Sequence, residues 1–148
     1  MYIYPDAKKV TVNNIRLRYH NRMEREEIET KQKRQVIDIT DAVAANVRGN
    51  GTAHIFVAHT TAAITTADLD PGTDEDFLDF LKLLTPQREW RHPHDPAHAP
   101  DHLLASLIGA GVSVPFEDGE LALGTWQRII LVELDGPRHR DVFIALSA

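Results

Sequence analysis

Val112-Ser-Val-Pro-Phe116 and Glu120-Leu-Ala-Leu123 stand either side of Asp118-Gly119; Arg128-Ile-Ile-Leu-Val-Glu-Leu134 and Asp141-Val-Phe-Ile-Ala-Leu146 stand either side of Asp135-Gly-Pro-Arg138. Asp-Gly between two apolar runs is a strong short-range hairpin signal, because both central turn positions favour residues that tolerate positive φ. The stretch therefore reads as two successive β-hairpins. Gly124-Thr125-Trp126-Gln127 interrupts them, as a bulge or a close backbone approach does. Trp126 there either walls a pocket or belongs to the core.

Upstream of the hairpins the pattern changes. Pro100 suits the start of a helix carrying Asp101 to Ile108, which Gly109 and Gly111 end. Thr73 to Leu84 reads as another helix, capped by Thr73 with Asp76 three residues on. Its Phe77, Leu78, Phe80, Leu81 and Leu84 form one core-facing stripe. Thr52 to His59 is a buried strand, with Ala53, Ile55, Val57 and His59 on one face and His54, Phe56 and Ala58 on the other. Ala62 to Thr66 is a further strand. Asp41 to Arg48 is a short helix with Asp38 or Thr40 as its cap. Arg22 to Arg34 is a solvated connection or an exposed strand pair, and Val10 to Tyr19 is an interrupted strand. Strands in hairpins with two to three helices predict an α+β fold, a largely antiparallel β-sandwich, as one domain over 1–148.

The chain has 148 residues, no cysteine, and 16 basic against 22 acidic side chains, a net charge of −6. The missing cysteine excludes disulfides, thiolate metal sites and thiol catalysis. The acidic balance argues against nucleic acid and against anionic membrane surfaces as partners. No apolar run approaches the roughly 20 residues of a membrane helix, and Met1 to Val10 has no signal-peptide core. The cytoplasm is the expected location.

Eight histidines are unevenly placed. His59 ends a strand. His92, His94, His98 and His102 fall in or just after Thr85 to Pro100, a segment broken by four prolines and too long for a simple connector. Imidazole is the commonest metal ligand, and an open zinc site needs three converging donors. A lone histidine is more often a hydrogen-bonded core residue, and the loop histidines read equally well as solvated. Asp68 and Asp70 supply a ligand, a general base or merely turn chemistry. Thr60, Thr61, Thr65 and Thr66 offer hydroxyls to a phosphate, or simply prefer strands. Arg138 and Arg140, near a turn, are phosphate-binding candidates or solvated surface.

His59-Thr-Thr-Ala-Ala-Ile-Thr65, Trp90-Arg-His92, Asp101-His-Leu-Leu-Ala-Ser-Leu107, Leu123-Gly-Thr-Trp-Gln127 and Leu134-Asp-Gly-Pro-Arg138 together resemble the YjbQ-like family, in its order and near its spacings. The resemblance runs from about Val36 to the C-terminus. It implies a trimeric α+β sandwich and a secondary thiamine-phosphate synthase activity, in which a pyrimidine methyl diphosphate joins a thiazole phosphate and pyrophosphate departs. It also implies His59, His92 and His102 as ligands of a divalent metal, zinc suiting an imidazole-rich set. Asp68 stands where the family has Glu, and His98 where it has Asn; the family's aspartate after the loop histidine is replaced near His94-Asp95. The expectation is a metal-dependent enzyme. Asp68 and Arg138 serve catalysis, and Thr60, Thr61 and Arg138 hold the phosphate of a small-molecule substrate. The rival expectations are a non-catalytic metal- or phosphate-ligand-binding module, with His98 closing the metal site, and a metal-dependent phosphohydrolase.

Overall fold

The structure, a computed structural model, describes residues 22–147. The strand expected over Val10 to Tyr19 lies outside them. Along the chain run β1 (Arg22–Glu29), β2 (Gln35–Asp38), α1 (Thr40–Ala44), β3 (Gly51–Val57), β4 (Ala62–Asp68), α2 (Thr73–Leu83), a 3-10 turn at Pro96–His98, α3 (Ala99–Ile108), β5 (Gly111–Glu117), β6 (Glu120–Leu121), β7 (Gln127–Glu133) and β8 (His139–Ser147). Two antiparallel sheets result, ordered β1-β8-β3-β5-β6 and β2-β7-β4. The α+β reading therefore holds.

Three layers explain the apolar pattern. Ala53, Ile55 and Val57 of β3, Val114 and Phe116 of β5, and Val142 and Ile144 of β8 pack against Ile64, Ile129 and Leu131 of the smaller sheet. The other face of that sheet, Ala63, Ile130 and Val132, packs against Leu81 of α2 and Leu104 and Ala105 of α3. β7 is thus buried on both faces, which is why Ile129 to Val132 shows no alternation. Its core side chains are worth about 1.5–3 kcal/mol each in transfer from water.

The first Asp-Gly hairpin forms: β5 pairs with β6, and Asp118 and Gly119 both take positive φ, 51° and 81°. The second does not. β7 pairs on its two edges with β2 and β4, whereas β8 pairs with β1 and β3. The Asp135–Arg138 turn instead carries the chain from one sheet to the other. It lies beside a second crossover, Thr30 to Arg34, which joins β1 to β2. The N–H of Gly136 donates to Lys33 O at 2.9 Å and that of Thr30 to Arg138 O at 2.9 Å. Gly136 permits this contact. A Cβ there would strike the Gln32 carbonyl oxygen and come within 2.8 Å of Thr30 Oγ1 and 2.9 Å of Glu133 Cγ.

Other boundaries also move. Arg22–Glu29 is a strand, at the edge of its sheet among the described residues, paired along its length with β8. β3 stops at Val57, so His59 lies two residues beyond it. α1 ends at Ala44, and neither Asp38 nor Thr40 is its N-cap: that position is Ile39, although Asp38 Oδ1 accepts the N–H of Thr40, the first helical residue, at 2.9 Å. Thr73 is not a cap: left-handed Gly72 opens α2, and Thr73 is already helical. Asp74, Glu75 and Asp76 still suit the positive end of the helix dipole. Leu81 is buried and Phe77 packs on the core, but Phe80 and Leu84 are exposed. No helix among the described residues is long and apolar enough to cross a membrane.

Candidate functional site

Glu133, the one charged residue inside an apolar run, is fully buried at the end of β7. Across from it lies Arg140, 1% exposed, at the start of β8. Arg140 Nε donates to Glu133 Oε2 at 2.7 Å, and its Nη2 donates to Glu133 Oε1 and to Thr61 Oγ1, the latter at 2.9 Å. Glu133 also accepts the Thr30 hydroxyl at 2.9 Å and the Asp135 N–H at 2.9 Å. Burial pushes this carboxyl up, but the Arg140 guanidinium, the Asp135 N–H and the Thr30 hydroxyl together hold it below its ordinary value. A buried charge pair is tolerable only when its remaining lone pairs and protons are satisfied in this way. The network fixes both crossovers, and Asp135 to Arg138 with them.

On that platform sits an exposed rim. Arg138, 48% exposed at its side chain, donates through Nη2 to Asp135 Oδ2 at 2.8 Å. His98 Nδ1 lies 3.7 Å from the same oxygen, and its Nε2 lies 3.2 Å from Asp95 Oδ2. Asp95 caps the 3-10 turn, its Oδ1 accepting the Ala97 N–H at 2.9 Å. One helical turn beyond His98, the His102 ring stacks on His92, centroids 5.0 Å apart and planes 17° from parallel. His94 meets His92 edge-on at 6.3 Å. Buried Asp101 receives Arg34 Nη2 at Oδ1, 2.7 Å away, while its Oδ2 has no hydrogen-bond partner. The proline-rich loop is thus anchored through Asp95 and His98, and the helix that follows it through Asp101.

His59 is half-buried beside the buried network. Its Nε2 accepts the Asp141 N–H at 3.1 Å, so the neutral ring carries its proton on Nδ1. Burial lowers its pKa most, followed by the positive charge of Arg140; Asp141 and Glu133 oppose them, and Arg138 adds a further downward push. A lowered histidine pKa means that the native state binds fewer protons than the unfolded chain as pH falls through the free value, about 6.5. Glu133 acts lower down: its stabilisation is complete above the free carboxyl value and is lost as pH falls through its depressed folded value. Stability measured by urea unfolding is therefore expected to decline below about pH 6.5 and more steeply in acid. His59→Gln should flatten only the upper part of that profile; an unchanged profile would show that His59 does not set it.

The remaining candidates are spread out. Thr61 is buried, its hydroxyl taken by Arg140. Thr60 is exposed and adjoins His59. Asp68 sits at the other end of β4, where Ala62 pairs with Glu133 and Asp68 with Gln127; six residues of strand separate these ends by roughly 20 Å. There Asp68 accepts the Asp70 N–H at 2.9 Å and lines an open depression with Thr66, Gly124 and Trp126, the last 68% exposed. Within one chain, then, His92 meets His102, and Arg138 meets His98. Asp68 joins neither group. Among the described residues no three His, Asp or Glu side chains converge as a metal site requires. Sequence reasoning missed Glu133, Asp135 and Asp101. A lone Glu in the run Ile129 to Leu134 was the available signal for the first.

These features define a two-sheet α+β sandwich backed by helices, with an arginine- and histidine-bearing rim where its crossovers meet. Residues 24–148 match the family described as UPF0047 protein YjbQ-like. The chain belongs to that family. It is 40% identical over 119 residues to a UPF0047 protein of Archaeoglobus fulgidus, covering 79% of this chain and 94% of the relative. It is 36% identical over 128 residues to UPF0047 protein YugU of Bacillus subtilis, covering 81% and 95%. A YbjQ-like protein of unknown function from Sulfolobus solfataricus superposes with a TM-score of 0.79 at 36% identity, over 86% of this chain and 97% of that one.

Proposed function

We propose that this chain is an enzyme acting on a phosphorylated small molecule, with Arg138 holding the phosphate and His59 beside it. The observation that carries this is geometric: the half-exposed Arg138 guanidinium is held by Asp135 at 2.8 Å on the turn that follows buried Glu133, and His59 accepts the Asp141 N–H three residues further on. Arg138 keeps donors beyond the one spent on Asp135, and a guanidinium binds phosphate through paired N–H groups. Neutral His59 retains one N–H to donate to developing negative charge. Such a rim suits the activity that the family resemblance implies: release of pyrophosphate from a pyrimidine methyl diphosphate as a thiazole phosphate adds.

His92 and His102 are the residues to hold a divalent metal, with zinc preferred by imidazole donors. Among the described residues this pair has no third ligand beside it, and we propose that a neighbouring copy completes the set. A bound zinc would supply Lewis-acid polarisation; no step is assigned to it.

We also propose a homotrimer. A cyclic trimer joins two different patches of the same chain, so the Asp68–Trp126 end of one copy can adjoin the Arg138 rim of the next. Asp68 then serves a site made by two chains. Light scattering is expected to return three times the chain mass. Asp68→Asn and Arg138→Ala chains, each inactive alone, should regain activity when mixed and reassembled; a monomer, or mixtures as inactive as their components, would refute the shared site.

The substrate class is tested by thermal shift against phosphorylated metabolites, with elemental analysis of the same preparation. Stabilisation by diphosphates or phosphate esters, absent in Arg138→Ala, is expected. A response to uncharged analogues alone would overturn the reading.

A further inference from the structure

His98 has no part in the ligand set implied above, and its surroundings point to a distinct role. Its Nδ1 and the Arg138 guanidinium face one oxygen, Asp135 Oδ2, at 3.7 Å and 2.8 Å. The two nitrogens are therefore no farther apart than those distances combined, a gap that the oxygens of one phosphoryl group can span. Both side chains are partly exposed, His98 by 36%, whereas Asp135 lies buried beneath them, its N–H held by Glu133. The far side of the imidazole is fixed: Nε2 faces Asp95 Oδ2 at 3.2 Å, and Asp95 is locked by capping the 3-10 turn. The near side is not. At 3.7 Å, Nδ1 is beyond hydrogen-bond distance from Asp135, so an anion that offers a closer oxygen displaces little.

We propose that His98, with a proton on each ring nitrogen so that Nε2 donates to Asp95 and Nδ1 to the ligand, is a second phosphate-binding group, acting with Arg138 on one phosphoryl group, and that Asp135 is the internal carboxylate that holds the two donors side by side until an anion arrives. This rests on the reading that Arg138 takes a phosphate. It adds a residue that sorts ligands by what they offer at the loop side of the rim. Asp95 and Asp135 bring negative charge to the same place, so a ligand must satisfy both donors together to bind well.

The test is calorimetric titration of the full-length protein with inorganic pyrophosphate at one fixed pH. Arg138→Ala should lose binding. His98→Ala should weaken it about tenfold or more, the usual size for a lost hydrogen bond to a charged group. His98→Asn, which keeps one N–H donor, should fall between that and the wild type. Asp135→Asn, which removes the competing charge, should bind at least as tightly as the wild type. Thermal unfolding of each variant checks that the fold is intact. If Arg138→Ala fails to bind while both His98 variants match the wild type, the phosphate reading stands and the role of His98 is refuted. If Asp135→Asn is as weak as His98→Ala, His98 merely anchors the loop, and the proposal is again refuted. No binding by the wild type overturns both.

Discussion

Replacing Arg140 with Met is expected to cost about 3–5 kcal/mol of folding stability, the range for breaking a buried ion pair from one side. The reason lies in what remains. Glu133 is fully buried, and Arg140 supplies two of the four hydrogen bonds made to its carboxylate. Met fills much of the volume but donates nothing. Thr61 loses its partner as well, since Arg140 Nη2 holds both its hydroxyl and its carbonyl, the latter at 3.2 Å. The double variant Glu133→Leu/Arg140→Met should recover part of the loss, because no charge is then left stranded. It should not recover all of it, because the Thr30 hydroxyl and the Asp135 N–H lose their acceptor. Urea unfolding measures these values. A loss below about 1 kcal/mol for Arg140→Met would mean that the pair is not what holds the crossovers together.

Arg138→Ala, only two residues away, is expected to do the reverse. Binding of a phosphorylated ligand should fall roughly a hundredfold, since each charge-assisted hydrogen bond lost costs about 1.5–3 kcal/mol. Stability should change far less than in Arg140→Met. Asp135 is mostly buried, but Arg138 is half exposed, so solvent reaches the pair and His98 Nδ1 still faces the same Asp135 oxygen at 3.7 Å. Calorimetric titration and urea unfolding of the same two preparations separate the roles. Equal loss of stability in both variants would place Arg138 in the scaffold and leave the rim without its anchor.

The apolar layers were largely legible in the residues. Alternation in β3 separated Ala53, Ile55 and Val57 from His54 and Phe56, and the structure buries the first set and exposes the second. Asp118-Gly119 marked a true hairpin because its two positive-φ positions are a local requirement. Asp135-Gly136 carried the same local signal and misled. Whether two strands joined by a turn pair with each other depends on which edges are free, and both edges of β7 are taken by strands distant in sequence. The same long-range pairing hid the buried network. Arg138 and Arg140 look alike from their neighbours, yet Arg138 lies in the turn before β8, where it bonds Asp135, and Arg140 lies within the strand, where it reaches buried Glu133. For the site, His92 and His102 stack on each other, whereas His59, the third ligand the resemblance implied, lies beside Asp141 and the Glu133–Arg140 pair instead. Thr61 turned out to serve the scaffold. Asp68 stands a strand's length away, which nothing short of the fold could reveal.

An apolar cavity of about 200 Å³ between the end of α2 and α3 is lined by Leu84, Trp90, Pro100, Leu103, Leu104 and Leu107 and shares no lining residue with the Arg138 rim. Leu103 and Leu107 are exposed there. Burial of this face in an assembly is expected to lower their exposure without altering phosphate binding.

Turnover tests the central claim most directly: release of pyrophosphate by the purified protein from pyrimidine methyl diphosphate in the presence of thiazole phosphate, with zinc added. The expected result is steady release by the wild type, lost in Arg138→Ala and strongly reduced in His102→Ala, with both variants folded. Release at the same rate in wild type and Arg138→Ala, or none from the wild type with these or other phosphorylated substrates, would contradict it.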